Sequence, residues 1–197
     1  KRGEGLEVAI AIGVDPATWL EGAMPDRLVP IDVDELEVAG ALRGEPLPVV
    51  RCETSDLEVP ATAEIVIEGV MPPGLRELEG PYGDYSRVYD GPPRQNPVIQ
   101  VQAITHREQP IYLDCLPGSR DNWLLGGVCR EADLLQHLQK SMPNVKAVCL
   151  PEGACCRFHC VVQIHKAHEY DSMHAIVGTL GPTEASRDVK WVVVVDE

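Results

Sequence analysis

Pro97-Val-Ile-Gln-Val-Gln-Ala-Ile-Thr105 places apolar side chains at 99, 101 and 103 and polar ones at 100 and 102. A two-residue period marks a half-buried strand, because successive side chains leave opposite faces of a sheet. Short runs of similar character precede it at Val49 to Cys52, Ala63 to Glu68 and Tyr85 to Tyr89. Pro60, Pro72-Pro73-Gly74 and Gly91-Pro92-Pro93 separate them, and those residue types make turns by fixing φ or permitting positive values of it. Four or so strands with no helix between them predict an antiparallel sheet or barrel. Ile111-Tyr-Leu-Asp-Cys-Leu116 closes this half.

Upstream, Val8-Ala-Ile-Ala-Ile-Gly13 is predicted to be a short buried strand. Asp15-Pro16 then opens a brief helix from Ala17 to about Gly22, since Asp accepts at an N-cap and Pro suits the first turn. Asp34 is a second cap, and Glu35 to Leu42 is a helix with Leu36, Ala39 and Leu42 on one face. Cys52 to Ala61 is a polar turn leading into an edge-like strand, Glu64 to Gly69. Downstream the order changes to alternating helix and strand. Asp121 to Gly127 is a loop or helix entry, Arg130 to Met142 an amphipathic helix, Val145 to Leu150 and Phe158 to His165 strands, Ser172 to Leu180 a helix and Val189 to Val195 a strand. Alternation of this kind predicts an open α/β layer. A boundary near residues 110 to 120 gives two domains, 1–112 and 113–197.

The chain has 197 residues, 44% of them hydrophobic, and a formal charge of −14 from 17 basic and 31 acidic side chains. Non-specific nucleic-acid binding needs a basic face, so that class is disfavoured. No apolar run approaches the ~20 residues of a membrane span, and the first residues lack the apolar stretch of a signal peptide. Seven cysteines, an odd number, show no repeated Cys-x-x-Cys pair at zinc spacing. Cys155-Cys156-Arg-Phe-His159-Cys160 is read as a buried strand whose free thiols pack as small hydrophobes in a reducing cytoplasm. The chain starts without Met and stops on Trp191-Val-Val-Val-Val-Asp-Glu197, which suggests a piece of something longer.

The chemistry concentrates in Glu77-Leu-Glu-Gly-Pro-Tyr-Gly-Asp-Tyr-Ser-Arg-Val-Tyr-Asp90. Glu79 and Asp84 are five residues apart, an offset that suits neither a helix face nor one side of a strand. Gly80, Pro81 and Gly83 instead force a tight loop carrying both acids. Such a pair can hold one carboxyl protonated near working pH, by like-charge repulsion and desolvation, and so deliver a proton. The plainer alternative is a solvated turn between two strands.

Several ordered blocks decide between these alternatives. Asp34-Glu35 followed by Ala39-Gly-Ala-Leu-Arg-Gly-Glu-Pro-Leu47, Cys52-Glu-Thr-Ser-Asp-Leu-Glu-Val-Pro-Ala61, Ala63-Glu-Ile-Val-Ile-Glu-Gly69 and Glu79-Gly-Pro-Tyr-Gly-Asp84 resemble the UbiD family of decarboxylases. The match covers about Val8 to Thr105 and rests beyond that on strand-helix order and the closing Val-rich run. The resemblance implies a mixed α+β fold: a split antiparallel β-barrel of flavin-reductase type, then a partial α/β layer. It implies prenylated FMN, a divalent ion (usually Mn2+) and, in many members, K+ at the flavin phosphate. The reaction implied is reversible loss of CO2 from an aromatic or α,β-unsaturated acid, followed by protonation by an acidic residue. Matched position by position, Glu35 is a metal ligand, and Glu79 and Asp84 flank the substrate with Asp84 as proton donor. Arg27 and Leu28 fall where the family's loop touches the flavin, with Met24-Pro25 as the other possible match. Tyr82, Tyr85 and Arg87 are candidates for the pocket wall. Partners implied are a small carboxylic acid, a flavin prenyltransferase supplying cofactor and further copies of the chain, in the cytoplasm. The family's Asn, His and Arg site residues have no counterpart in these 197 residues, so the chain alone is expected to turn over little. Two competing functions remain open: a non-catalytic flavin-binding or assembly module of the same ancestry, and an unrelated aspartate-pair hydrolase.

Overall fold

The computed structural model describes residues 3–25, 28–181 and 186–197. They divide into two compact units: residues 3–22, 34–84 and 88–114, and residues 23–25, 28–33, 85–87, 115–181 and 186–197.

The first unit is built on three antiparallel strands in the order β1-β4-β7: β1 (Leu6–Ile12), β4 (Ile65–Met71) and β7 (Gln100–His106). β4 is therefore central, not the edge-like strand expected from the sequence. Its middle explains the difference. Glu68 is a charged residue on an inward position, only 2% exposed. A buried carboxylate has to be hydrogen-bonded, and Glu68 accepts from Glu53 N at 2.9 Å, Thr54 N at 2.7 Å and Thr54 Oγ1 at 2.6 Å. The polar turn is thus anchored by the strand it leads to. At Gly69 the ladder shifts register; a Cβ there would lie 2.5 Å from the carbonyl oxygen of Gln100, so only Gly lets β7 approach.

The Thr54 hydroxyl, ahead of the Glu53 amide, holds the Glu68 carboxyl below its ordinary value of 4.5. A lowered folded-state pKa gives stabilisation that is complete above 4.5 and lost as pH falls through the folded value. Glu68→Gln is accordingly expected to be less stable than the parent at pH 7. The deficit should shrink as chemical denaturation is repeated from pH 5 down to pH 3. A constant deficit across that range would contradict the assignment.

Two ribbons accompany this sheet, β2 (Val49–Arg51) with β3 (Glu58–Pro60), and β5 (Arg76–Glu79) with β6 (Arg94–Pro97), both antiparallel. Among the described residues no ladder closes a ring. The helices are α1 (Pro16–Glu21) and α2 (Glu35–Arg43). Asp15 caps α1 through the amides of Ala17 and Thr18 and the Thr18 hydroxyl. The same carboxylate takes Arg43 Nη1 at 2.9 Å, tying α2 to α1. Asp34 caps α2 at Leu36 N, 2.8 Å, and Gly44, with φ 77°, ends it in the left-handed conformation that Gly adopts at little cost.

The second unit holds α3 (Arg120–Gln139), β8 (Val145–Cys149), β9 (His159–Ile164), α4 (Asp171–Thr179) and β10 (Trp191–Asp196). β9 sits between β8, antiparallel, and β10, parallel. α4 makes the crossover that a parallel pair needs. Leu134, Leu138, Val145, Cys160, Val162, Ile164 and Ala175 form the core. Cys160 packs there as a small hydrophobe, its thiol pushed up to about 12 by burial. Cys155 and Cys156 are not strand residues; they follow a single 3-10 turn with φ of 55° and 50°.

Three further sequence expectations need correction. α3 begins ten residues before the expected Arg130, passing through Gly126-Gly127, which disfavour helix in isolation. Packing overrides that: a Cβ on Gly127 would lie 2.7 Å from Cys156 Cβ, so Gly lets the preceding turn seat on the helix. Tyr85 to Tyr89 is a turn rather than a strand, with Arg87 at φ 66°. The 97–105 run is split: Pro97 ends β6, Val98 and Ile99 lie between strands, and residues 100–105 enter β7. Elsewhere the mixed α+β fold is as expected, antiparallel strands giving way to helix–strand alternation.

Candidate active site

Glu79 is the last residue of β5, opposite Arg94 on β6. β5 and β6 are mostly polar and are exposed except for half-buried Asn96, so the pairing leaves no hydrophobic signature. Glu79 is exposed, and its Oε2 accepts from Asn96 Nδ2, a cross-ribbon neighbour. The chain then turns at Gly80, φ 85°. It comes back through an antiparallel bridge between Gly83 and Tyr89. Asp84 N donates to Val88 O at 2.8 Å, and Asp90 N to Tyr82 O at 3.1 Å. Asp84 is half-buried on this braced excursion. Both acids therefore occupy one β5–β6 connection whose backbone is hydrogen-bonded back on itself.

Tyr85, Ser86 and Arg87 belong to the second unit. Trp123 Nε1 donates to Tyr85 O at 2.7 Å, and Arg87 Nε to Gly118 O at 2.9 Å. The Arg87 guanidinium lies 4.6 Å over the Trp123 ring, a cation–π contact. Tyr85 packs on Phe158 with centroids 5.8 Å apart. Tyr82 is exposed.

Glu35 is exposed at the first position of α2, where the helix dipole favours a carboxylate. Glu21, the last residue of α1, is only 8% exposed. Burial, then the charge of Glu35, then that of Asp34, raise its pKa. Glu21 carries no motif; its one sequence signal is an acid in the last turn of a helix, where the dipole opposes it. The donor set around Glu35 is hard oxygen, the kind that Mg2+, Mn2+ and Ca2+ take. Glu35 thus fits as one ligand of such an ion. Among the described residues no group of three His, Cys, Asp or Glu side chains is placed to hold a metal. Arg27 lies outside the described residues. Leu28 is half-buried, and its N donates to Pro25 O at 2.9 Å; its side chain is an apolar one of the sort a flavin ring accepts.

A groove of about 690 Å³ runs beside α2, lined by Asp34, Glu37, Gly40, Glu45 and Glu58 among others. Neither Glu79 nor Asp84 lines it.

Comparison with known proteins bears on the same residues. The family model for the 3-octaprenyl-4-hydroxybenzoate carboxy-lyase Rift-related domain matches residues 1–120, and the model for the C-terminal domain of the same enzymes matches residues 124–197. Anhydromevalonate phosphate decarboxylase of Methanothermobacter thermautotrophicus is 42% identical over all 197 residues, which make up 45% of that protein. An evolved dimeric form of the UbiD-class enzyme HmfF from Pelotomaculum thermopropionicum, solved with prFMN, superposes with a TM-score of 0.90 at 50% identity, over 99% of this chain and 44% of that one. Vanillic acid decarboxylase of Sedimentibacter hydroxybenzoicus in its open form gives 0.84 at 28% identity, over 99% and 41%. The chain spans less than half the length of these relatives. With both family models matched in order, and the Glu79–Asp84 and Glu35 blocks inside the first, the chain belongs to the UbiD family of decarboxylases.

Proposed function

We propose that the chain supplies acidic residues to a reversible decarboxylase acting on an aromatic or α,β-unsaturated carboxylic acid with prenylated FMN. The observation that carries this is the β5–β6 connection, which holds Glu79 and Asp84 on one hydrogen-bonded excursion in a chain of this family. When bound, the prenylated flavin supplies an electron sink for the carbon that loses CO2. Asp84 delivers the proton to that carbon, and Glu79 flanks the substrate and tunes the proton transfer. Glu35 contributes a carboxylate to a divalent ion, Mn2+ or similar, with K+ as a second cation. Arg27 and Leu28 contact the flavin. Residues 1–112 form the cofactor and active-site domain and 113–197 a C-terminal domain. A homo-oligomeric, cytoplasmic protein served by a flavin prenyltransferase completes the proposal; all seven cysteines are free thiols, which suits a reducing compartment. No helix of the described residues is long and apolar enough to cross a membrane.

The metal assignment is tested by titrating Mn2+ into the chain with FMN present and following paramagnetic relaxation of solvent water. Glu35→Gln is expected to weaken Mn2+ binding by about tenfold or more, the loss of one charged ligand. Unchanged affinity would remove Glu35 from the ligand set.

A further inference from the structure

In a chain carrying −14 formal charge, two arginines of the second unit share a single acid, Asp188. Arg130 Nη1 lies 3.4 Å from Asp188, and Arg187 Nε 3.8 Å from the same carboxylate. Arg157 adds a third positive charge near Arg130. Burial first, then the Arg157 charge, lowers the Arg130 pKa; Asp188 acts in the opposite sense, and Arg187 adds further repulsion.

Arg157 itself is packed on both faces. Its guanidinium sits 4.2 Å over the Tyr85 ring. On the α3 side, a Cβ at Gly126 would lie 2.7 Å from Nη1 and 2.8 Å from Nη2. Its Nε and Nη1 are buried with no hydrogen-bond partner. Leaving charged donors unpaired away from water is costly, and native structures satisfy nearly all such groups. The ring face supplies electrostatic attraction but no acceptor lone pair in the guanidinium plane. The backbone leading to Arg157 is also unusual, since Cys155 and Cys156 both take left-handed φ, and such strain concentrates at functional sites. Gly126 and Gly127 give the turn and the guanidinium the room they use.

Among the described residues the buried Arg157 donors have no acceptor, and a fixed guanidinium of this kind calls for an anion. We propose that Arg157, with Arg130 beside it, forms an oxyanion-binding site in the second unit that receives the phosphate or carboxylate group of a small-molecule ligand. Arg is suited to this because its planar fork matches either oxyanion. Nη2 is the nitrogen outside the sealed pair, so the anion meets the guanidinium at that edge and offsets its charge. The site uses only residues of the second unit and does not depend on the decarboxylase reading.

The test is binding at constant ionic strength, with inorganic phosphate in one arm, benzoate in the second and chloride as the reference. Isothermal titration of the full chain is expected to show saturable binding of phosphate, benzoate or both, and the tighter arm identifies the oxyanion. Arg157→Met should weaken it by about tenfold, the loss of one charge-assisted contact. This variant removes the unpaired donors, so its thermal midpoint should equal or exceed that of the parent. Gly126→Ala keeps the charge but moves the guanidinium, and should weaken binding as well. No saturable binding of either oxyanion over chloride, or equal affinity in parent and Arg157→Met, would overturn the proposal.

Discussion

Asp84→Asn, made in a protein that joins this chain to the family's Asn, His and Arg site residues and assayed with prenylated FMN and a divalent ion supplied, is expected to lower CO2 release from an unsaturated acid by roughly 10²–10⁴-fold, the usual worth of a positioned general acid. The amide is close to the carboxyl in shape, so the backbone bracing at Asp84 N to Val88 O and the Gly83–Tyr89 bridge should survive. Flavin absorbance should therefore be unaltered, separating lost chemistry from lost cofactor. Glu79→Gln should be milder, because its exposed position on β5 and its Asn96 partner remain compatible with an amide. Asp84→Asn retaining more than a tenth of parent turnover would sink the assignment of Asp84 as proton donor. The same result would favour the non-catalytic flavin-binding alternative.

Leu134→Ala should be the most damaging single truncation for stability. Leu134 is fully buried, at 0% exposure, in the core shared by α3, α4 and the β8–β10 sheet. Removing its branched end takes away transfer free energy and leaves a cavity, about 2–5 kcal/mol in such sites. That is a large share of a typical domain stability of about 5–15 kcal/mol. Urea denaturation followed by far-ultraviolet circular dichroism should show a lower midpoint with the slope kept. Among the described residues of the first unit, the buried apolar cluster is Cys52, Val59 and Val66. Val66→Ala removes two methyl groups rather than an isopropyl group, and should shift the midpoint less. Equal shifts would mean that Leu134 is not central to the second core.

The contrast between these cores tracks how much of each unit was visible in the sequence. β9 and β10, His159–Ile164 and Trp191–Asp196, are apolar runs with clear stops, and apolar burial is what periodicity records. β5 and β6 escaped because Arg76-Glu-Leu-Glu79 and, apart from half-buried Asn96, Arg94-Gln-Asn-Pro97 are exposed; only backbone pairing makes them strands. The reversal at Arg87 escaped for another reason. Its positive φ goes with a hydrogen bond to Gly118 O, 31 residues away, and no local pattern encodes a partner at that distance. The start of α3 was hidden by Gly126-Gly127, residues chosen for close approach to Cys156 and Arg157 rather than for helix.

By itself the sequence determined the family, the mixed α+β order of elements and the identity of the acids, because turn residues, caps and alternating runs are local chemistry read along the chain. Asp15 and Asp34 capped the helices they precede, as side-chain acceptors next to free amides must. Only the tertiary structure decided which groups were buried without their water. It put Glu68 inside with three donors, Glu21 under the charges of Glu35 and Asp34, and Arg157 against Tyr85 with donors unpaired. Burial of a charge is a property of everything packed around it, and residues far apart in the chain do that packing.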